Sequence, residues 1–585
     1  MLSNRTYGMI AIGQTAILLI VGVLSGCKQH DPGILFHAAP SYRPSILQEF
    51  RARFPEPISI SPDGRMVLLR TLNSDGNPFG LEVIELASHQ RVAEISFADD
   101  PMRVCWRPDS AALSFFMQNR HKNGRVLHLW RLPTGRDEII ETPPAKAEPN
   151  MKWSPDSRYF GYVEGGVGLV VIDAENPHSL VHIEKGVDYI FEWLADSRKI
   201  AYVPHGQPNV IRTIDVKGKV VQNIHLPDDN QLLDLVYSGA RKEFVVITRN
   251  PVNPFLVETV RPKPFVIQMI YHSDYELDYP HVATSGEFCT VEIVNNADRR
   301  IRLLDLKGHR DSDINVPSGG DNQVEIVDPD SQYLVYTHRS STQPVIYRYD
   351  LASMKMTELY SKSFQPSVSA EEYWIPSFDG VKVPLYVWRG AHTKAAPSAL
   401  IRLHAFNVKE TPTWQDEIQI MTSHGVTYIA CNYRGSLGFG IDYEKKATDQ
   451  NQIEDVLATI EYVHNELRIP YKRIVLFGYS AGADLALRTA IERLPQPGIL
   501  AMVGAHGGSD LSGVMDREHH PHILIFHGTY EDVTLDNMKV VAQDLATMSQ
   551  TNRDVELYEL KDNHDFNYPE SRAEIYSTIL NVLNQ

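Results

Sequence analysis

Cysteine is scarce. The 585 residues hold four, at positions 27, 105, 289 and 431. None stands at the spacing of a metal-ligand set, which excludes a fold clipped together by zinc. Cys105, Cys289 and Cys431 lie far apart, in segments that read as strands. Three thiols cannot all pair within one chain, so buried free thiols are expected. Blocks of like charge are missing as well. The net charge is −17, yet acidic and basic residues are interspersed, which argues against nucleic acid as the main partner. Length, by contrast, is ample: a chain of this size exceeds what one hydrophobic core organises, and two large domains or more are expected.

The first 26 residues read as a targeting segment rather than as structure. Arg5 supplies a positive start and Ile10 to Val23 an apolar run. Leu24-Ser25-Gly26-Cys27 then resembles the lipobox of bacterial lipoproteins. That resemblance implies cleavage before Cys27, lipidation of its thiol and acylation of the new N-terminus. An uncleaved single membrane anchor is the other reading. Lys28 after the cysteine implies, by the same resemblance, the outer membrane, with the protein facing the periplasm. Several acyl chains would hold it firmly to the bilayer. Residues 27–44 are then a tether.

Between the tether and the C-terminal third a phrase recurs: ISPDGRMVLL, CWRPDSAALSFF, KWSPDSRYFGYV and EWLADSRKIAYV. Weaker copies are YSGARKEFVVI, ATSGEFCTVEI and VDPDSQYLVYT. The turns fall near Asp63, Asp109, Asp156, Asp196, Ala240, Ser285 and Asp330, a period of roughly 40 to 47 residues, in the range of propeller blades. In the strong copies a turn containing Asp precedes alternating apolar residues, which is hairpin chemistry. Seven units predict an all-β, seven-bladed propeller over residues 45–360, in preference to an open solenoid. SKSFQPSVSAEE is polar and punctuated, and reads as the crossing to a second domain over residues 361–585.

That domain alternates strands and helices. ALIRLHAF, TYIACNYRG, RIVLFGY, ILAMVGA, HILIFHG and DVELYEL read as strands; IEDVLATIEYVHNEL and EIYSTILNVL read as helices. The pattern predicts a doubly wound, mostly parallel sheet. In RIVLFGYSAGADLALRTA a continuous apolar run meets Gly478-Tyr479-Ser480-Ala481-Gly482, and helical periodicity follows. Strand, G-x-S-x-G and helix make the nucleophile elbow of α/β-hydrolases. The glycines allow a sharp turn, Ser480 stands clear of the sheet as nucleophile, and the N–H of Ala481 points at a developing oxyanion. A Gly/Ser turn in some other α/β protein is the bland alternative.

A propeller followed by an α/β-hydrolase resembles the prolyl oligopeptidase family of serine peptidases. Its specific parts here are Asn432-Tyr433-Arg434-Gly435-Ser436 with Gly438 and Gly440, the Ser480 elbow, His527-Gly528-Thr529, and His564-Asp565-Phe566. The resemblance covers nearly all of the mature chain. It implies His564, beyond the DVELYEL strand, as general base, an imidazole suited to that work near neutral pH. Counting from His527, it implies Glu531 or Asp532 as the acid that orients the imidazole. His527 itself reads as scaffold. In the loop after ALIRL the family has glycines, whereas here stand His404-Ala405-Phe406-Asn407. His404 or the Phe406 amide is the candidate second oxyanion donor.

Between GAHGGSD and HILIFHG only LSGVMDREHHP intervenes, where family members carry several tens of residues that shape a pocket. The family arginine that follows the acid is absent from EDVTLD. Glu518, His519, His520 and His522 show no metal-site spacing and read as a solvated turn. The resulting expectation is a lipid-anchored serine peptidase acting on short peptides without metal or organic cofactor. An esterase, and a non-catalytic binding lipoprotein with a degenerate hydrolase domain, are the alternatives.

Overall fold

The computed structural model describes residues 35–584, apart from 38–41, 53–55, 73–78, 98–100, 120–123, 142–149, 165–167, 308–310, 328–331, 363–366, 493–497, 505–520, 530–536, 543–544 and 546–554. Residues 133, 185, 284, 297, 394, 395, 406, 407, 563 and 565 also fall outside the described set.

Residues 56–361 form seven four-stranded antiparallel sheets, each built from four consecutive strands. This is a seven-bladed β-propeller, and the recurring phrase explains how blades repeat. Gly64, Ser110, Ser157 and Ser197 close their turns at φ +71°, +60°, +64° and +54°. The serines also reach sideways: the hydroxyls of Ser110, Ser157 and Ser197 accept from the backbone N–H of Asp63, Asp109 and Asp156 in the preceding blade, at 3.1, 3.1 and 3.0 Å. Each such turn thus links neighbouring blades, a polar relay that only a periodic sequence can build. The ring closes by apolar packing of the first blade on the last, where Ile60, Val67 and Leu69 meet Val335 and Ile346.

The second domain is a nine-stranded sheet. Its order runs Leu35–His37, Val555–Leu560, His522–Gly528, Ile499–Val503, Ile474–Tyr479, Ser398–Leu403, Val426–Cys431, Lys382–Trp388, Glu371–Pro376. The first seven strands are parallel to one another and the last two pairings are antiparallel. Because both faces are covered, the central parallel strands Ile474–Tyr479 and Ile499–Val503 are apolar runs rather than alternating. Helices Asp449–Asn465 and Ala481–Glu492 cover one face; Asp416–Ser423 and Pro569–Leu583 cover the other. Cys289 and Cys431 are buried and Cys105 partly so, all three as free thiols, and burial pushes the Cys105 thiol up to about 11.

The N-terminal boundary drawn from sequence needs correction. Leu35–His37, expected within a loose tether, adds a parallel edge strand to Val555–Leu560. Helix Pro44–Ala52, assigned to the propeller, buries Ile46 and Phe50 in the hydrolase core against the C-terminal helix. Leu35–His37 and Pro44–Ala52 therefore pack with the hydrolase, and the first propeller strand is Glu56–Ile60. The reason is tertiary: three residues of strand and nine of helix become stable only on a surface supplied by the far end of the chain.

Candidate active site

Ser480 stands between strand Ile474–Tyr479 and helix Ala481–Glu492 with φ +52°. A serine in the left-handed region is uncommon, and its neighbours hold it there. The Ser480 N–H donates to Val503 O at 2.9 Å, and its carbonyl accepts from Ala483 N–H at 2.8 Å. The flanking glycines are required sterically. A Cβ on Gly478 would collide with the backbone of Gly482 and Ala483, and one on Gly482 with the carbonyls of Leu403 and His404. Strand, turn and helix are thus pressed together until only glycine fits, as the elbow reading expected. Ala481 opens the helix, and the first N–H groups of a helix have no intrahelical acceptor. That leaves its amide in the position class used for oxyanion donors.

His564 comes to the same end of the sheet. Tyr479, the residue before the serine, donates its phenol hydrogen to His564 O at 2.7 Å, and the two rings lie 5.5 Å apart. The imidazole packs over Gly504, which follows the Val503 carbonyl that holds Ser480. The ends of the loop are fixed. Asp562 is buried, donates its N–H to Leu560 O at 2.8 Å and accepts from Tyr568 N–H at 3.0 Å, while Phe566 is buried at φ +49°. The residue before the expected nucleophile is thus hydrogen-bonded to the backbone of the expected base.

The Asn432–Ser436 motif acts as a cradle for the loop after Ser398–Leu403. Asn432 clamps Glu410 through both amide atoms, accepting from its N–H at 2.8 Å and donating to its carbonyl at 3.1 Å. Tyr433 donates its hydroxyl to His404 O at 2.7 Å and stacks on the imidazole at 4.5 Å. Arg434, 1% exposed, ion-pairs with Asp455 at 2.7 Å and Asp379 at 2.5 Å, tying the motif to its underlying helix. Both nitrogens of His404 are engaged, Nδ1 with Ala405 O at 2.6 Å and Nε2 with Ser436 Oγ at 2.7 Å. Burial lowers its pKa, which favours a neutral ring. The His404 ring is thus held on both nitrogens by partners within the protein.

Glu531, Asp532 and Phe406 lie outside the described residues, as do Glu518, His519 and His520. His522 is no turn residue: it opens the His522–Gly528 strand and meets Glu556 at 2.7 Å, and His37 meets the same carboxylate at 2.8 Å. His527 is buried in that strand, a scaffold position. Among the described residues no group of three His, Cys, Asp or Glu side chains is placed to hold a metal ion.

Sequence reading passed over what lies beneath the Ser480 and His564 loops. A cavity of about 460 Å³ opens there, lined by Arg402, Glu417, Tyr479, Phe566, Asn567 and Arg572 among others. Arg402 Nε donates to Glu410 at 2.9 Å, and Arg572 pairs with Glu417 and, at 3.6 Å, with Asp416. No local pattern marks this cluster, because its members come from two helices, two strands and a loop far apart in sequence.

Residues 412–496 match the prolyl oligopeptidase family. Over 190 residues the chain is 26% identical to a dual function macrocyclase-peptidase of Amanita bisporigera, a match covering 29% of this chain and 25% of that protein. In three dimensions it superposes on a prolyl endopeptidase studied for inter-domain dynamics in catalysis and specificity, with TM-score 0.74, 17% identity and 92% of each chain covered. A post-proline cleaving enzyme from Rickettsia typhi matches with TM-score 0.73 and 13% identity, over 92% of this chain and 94% of the other.

Proposed function

Since the chain carries a prolyl oligopeptidase family domain within the propeller-and-hydrolase fold of prolyl endopeptidases, we propose that it is a serine peptidase of short peptides, working through an acyl-enzyme at Ser480. Ser480 Oγ attacks the scissile carbonyl carbon while the His564 imidazole takes its proton. The Ala481 amide faces the oxyanion. The proton passes to the leaving amine as the C–N bond breaks, and water, deprotonated by the same imidazole, then releases the acyl group. Glu531 or Asp532 orients the imidazole. The propeller limits entry to chains thin enough to reach the space between the domains. Cys27 carries the lipid that fixes the protein to the outer membrane on its periplasmic side.

The observation that carries this reading is the strained Ser480 elbow, bonded through Tyr479 to the loop of His564. A serine hydroxyl is weak at neutral pH without an adjoining base, so a fluorophosphonate adduct at Ser480 reports an assembled site. Wild-type protein is expected to form that adduct, found by peptide mapping, and His564→Ala to form it far more slowly. A folded wild type that takes no label at Ser480 would replace this reading by the binding lipoprotein. Turnover of small acyl esters with no cleavage of peptides would replace it by the esterase. Cys27→Ser is expected to abolish labelling by radioactive palmitate in cells; normal labelling of that variant would remove the anchor from the proposal.

A further inference from the structure

The phenol of Tyr479 joins the two halves of the site, and we infer that Tyr479 is a positioning residue that sets where His564 stands relative to Ser480. The inference rests on the serine hydrolase reading above. Tyr479 is the last residue of its strand, and its backbone is fixed by the elbow, where Gly478 and Gly482 leave no slack. Its side chain crosses to the neighbouring loop and donates to the His564 carbonyl at 2.7 Å. A hydrogen bond to that carbonyl fixes the backbone from which the imidazole hangs.

Two surroundings make this bond matter. Beneath the loop lies the 460 Å³ cavity, bounded by Tyr479, Phe566 and Asn567. A segment resting over a cavity receives less packing support from below than one resting on a filled core. The tyrosine ring is itself held, since the Arg402 guanidinium lies 5.7 Å from its centroid and Arg402 is bound to Glu410. Glu410 is clamped by Asn432. A continuous path therefore runs from the Asn432 cradle through Glu410, Arg402 and Tyr479 to His564, touching the oxyanion loop, the elbow and the base in turn.

Tyr479→Phe removes only the hydroxyl and keeps the ring. A catalytic group misplaced by about 1 Å can cost about 10²-fold in rate. The variant is expected to hydrolyse p-nitrophenyl acetate with kcat reduced about 10- to 100-fold and KM within about twofold of wild type. Labelling of Ser480 by a fluorophosphonate should slow in parallel, with the melting temperature unchanged. Tyr479→Leu, which also removes the ring, should lose at least as much kcat. The positioning role is overturned if Tyr479→Phe labels and turns over at the wild-type rate. It is equally overturned if KM rises while kcat holds, or if the loss follows a fall in melting temperature, which marks a purely structural residue. Absence of label on the wild type would instead count against the underlying enzyme reading, so the two failures are distinguishable.

Discussion

At Gly504 the backbone adopts φ +59°, and a Cβ there would sit 2.7 Å from Cε1 and 2.9 Å from Nδ1 of His564. Alanine at this position has two effects. Strain in the left-handed region costs about 1 kcal/mol, and the methyl pushes the imidazole off its seat. The strain is spread over a large domain, but the displacement falls on the proposed chemistry. Gly504→Ala is therefore expected to fold with a small fall in melting temperature and to lose about 10²-fold in kcat. Calorimetry alongside steady-state kinetics checks both, and full turnover in the variant would show that the ring does not work from its place over Gly504. This glycine is not legible in GAHGGSD, because its reason lies 60 residues downstream. Gly478 and Gly482 are legible, because their constraint comes from the turn they themselves make. The same contrast explains His404, whose position suggested a donor while its true partners, Ser436 and Tyr433, lie on a loop brought near only by the sheet.

The propeller was readable at the level of elements because the strong copies repeat a local instruction, a turn with Asp followed by Gly or Ser and then alternating apolar residues. The N-terminal segment was not, since its strand and helix are specified by the surface they land on. Phe50 is 1% exposed, tilts against Tyr576 at 5.9 Å and stands under the Arg572 guanidinium at 4.8 Å. Phe50→Ala is expected to cost about 3–5 kcal/mol, read as an earlier denaturant midpoint of the hydrolase; an unchanged midpoint would show the helix to be an accessory. The edge strand adds a pH dependence. Burial opposes ionisation of Glu556, but hydrogen bonds from His522, Tyr558 and His37 outweigh it and hold the carboxyl at about 2, against an ordinary 4.5. A depressed carboxyl contributes stability that is present above pH 4.5 and lost as pH falls toward 2. Wild type should thus lose more melting temperature between those limits than Glu556→Gln, which should start lower at pH 7. Parallel acid limbs for the two proteins would contradict this.

For the whole molecule the question is how the propeller governs entry, and the seam between domains bears on it. Tyr386 donates to Asn296 O at 2.8 Å, the Trp414 N–H to Ser340 O at 2.6 Å, and Phe79 of the first blade packs edge-on against Tyr568 near the base loop at 5.1 Å. The Gln419 side chain makes three hydrogen bonds there. It accepts from the Val368 N–H at 2.7 Å and donates to Val368 O at 3.2 Å and Ser341 O at 3.1 Å, while only 2% exposed. One amide thus ties the connecting segment and the last blade to helix Asp416–Ser423, which follows the proposed oxyanion loop. Gln419→Ala strips these partners and leaves buried backbone groups unpaired, at about 1–3 kcal/mol. If closure of the seam limits what enters, a looser seam should admit longer chains. The variant is expected to raise the ratio of turnover on a long peptide to that on a short one bearing the same cleavage site, with little change on the short peptide. Two peptide lengths assayed on both proteins decide it. Loss on both peptides together would mean that the amide supports the oxyanion loop rather than the gate, and an unchanged ratio in a measurably destabilised protein would mean that access does not run through this seam.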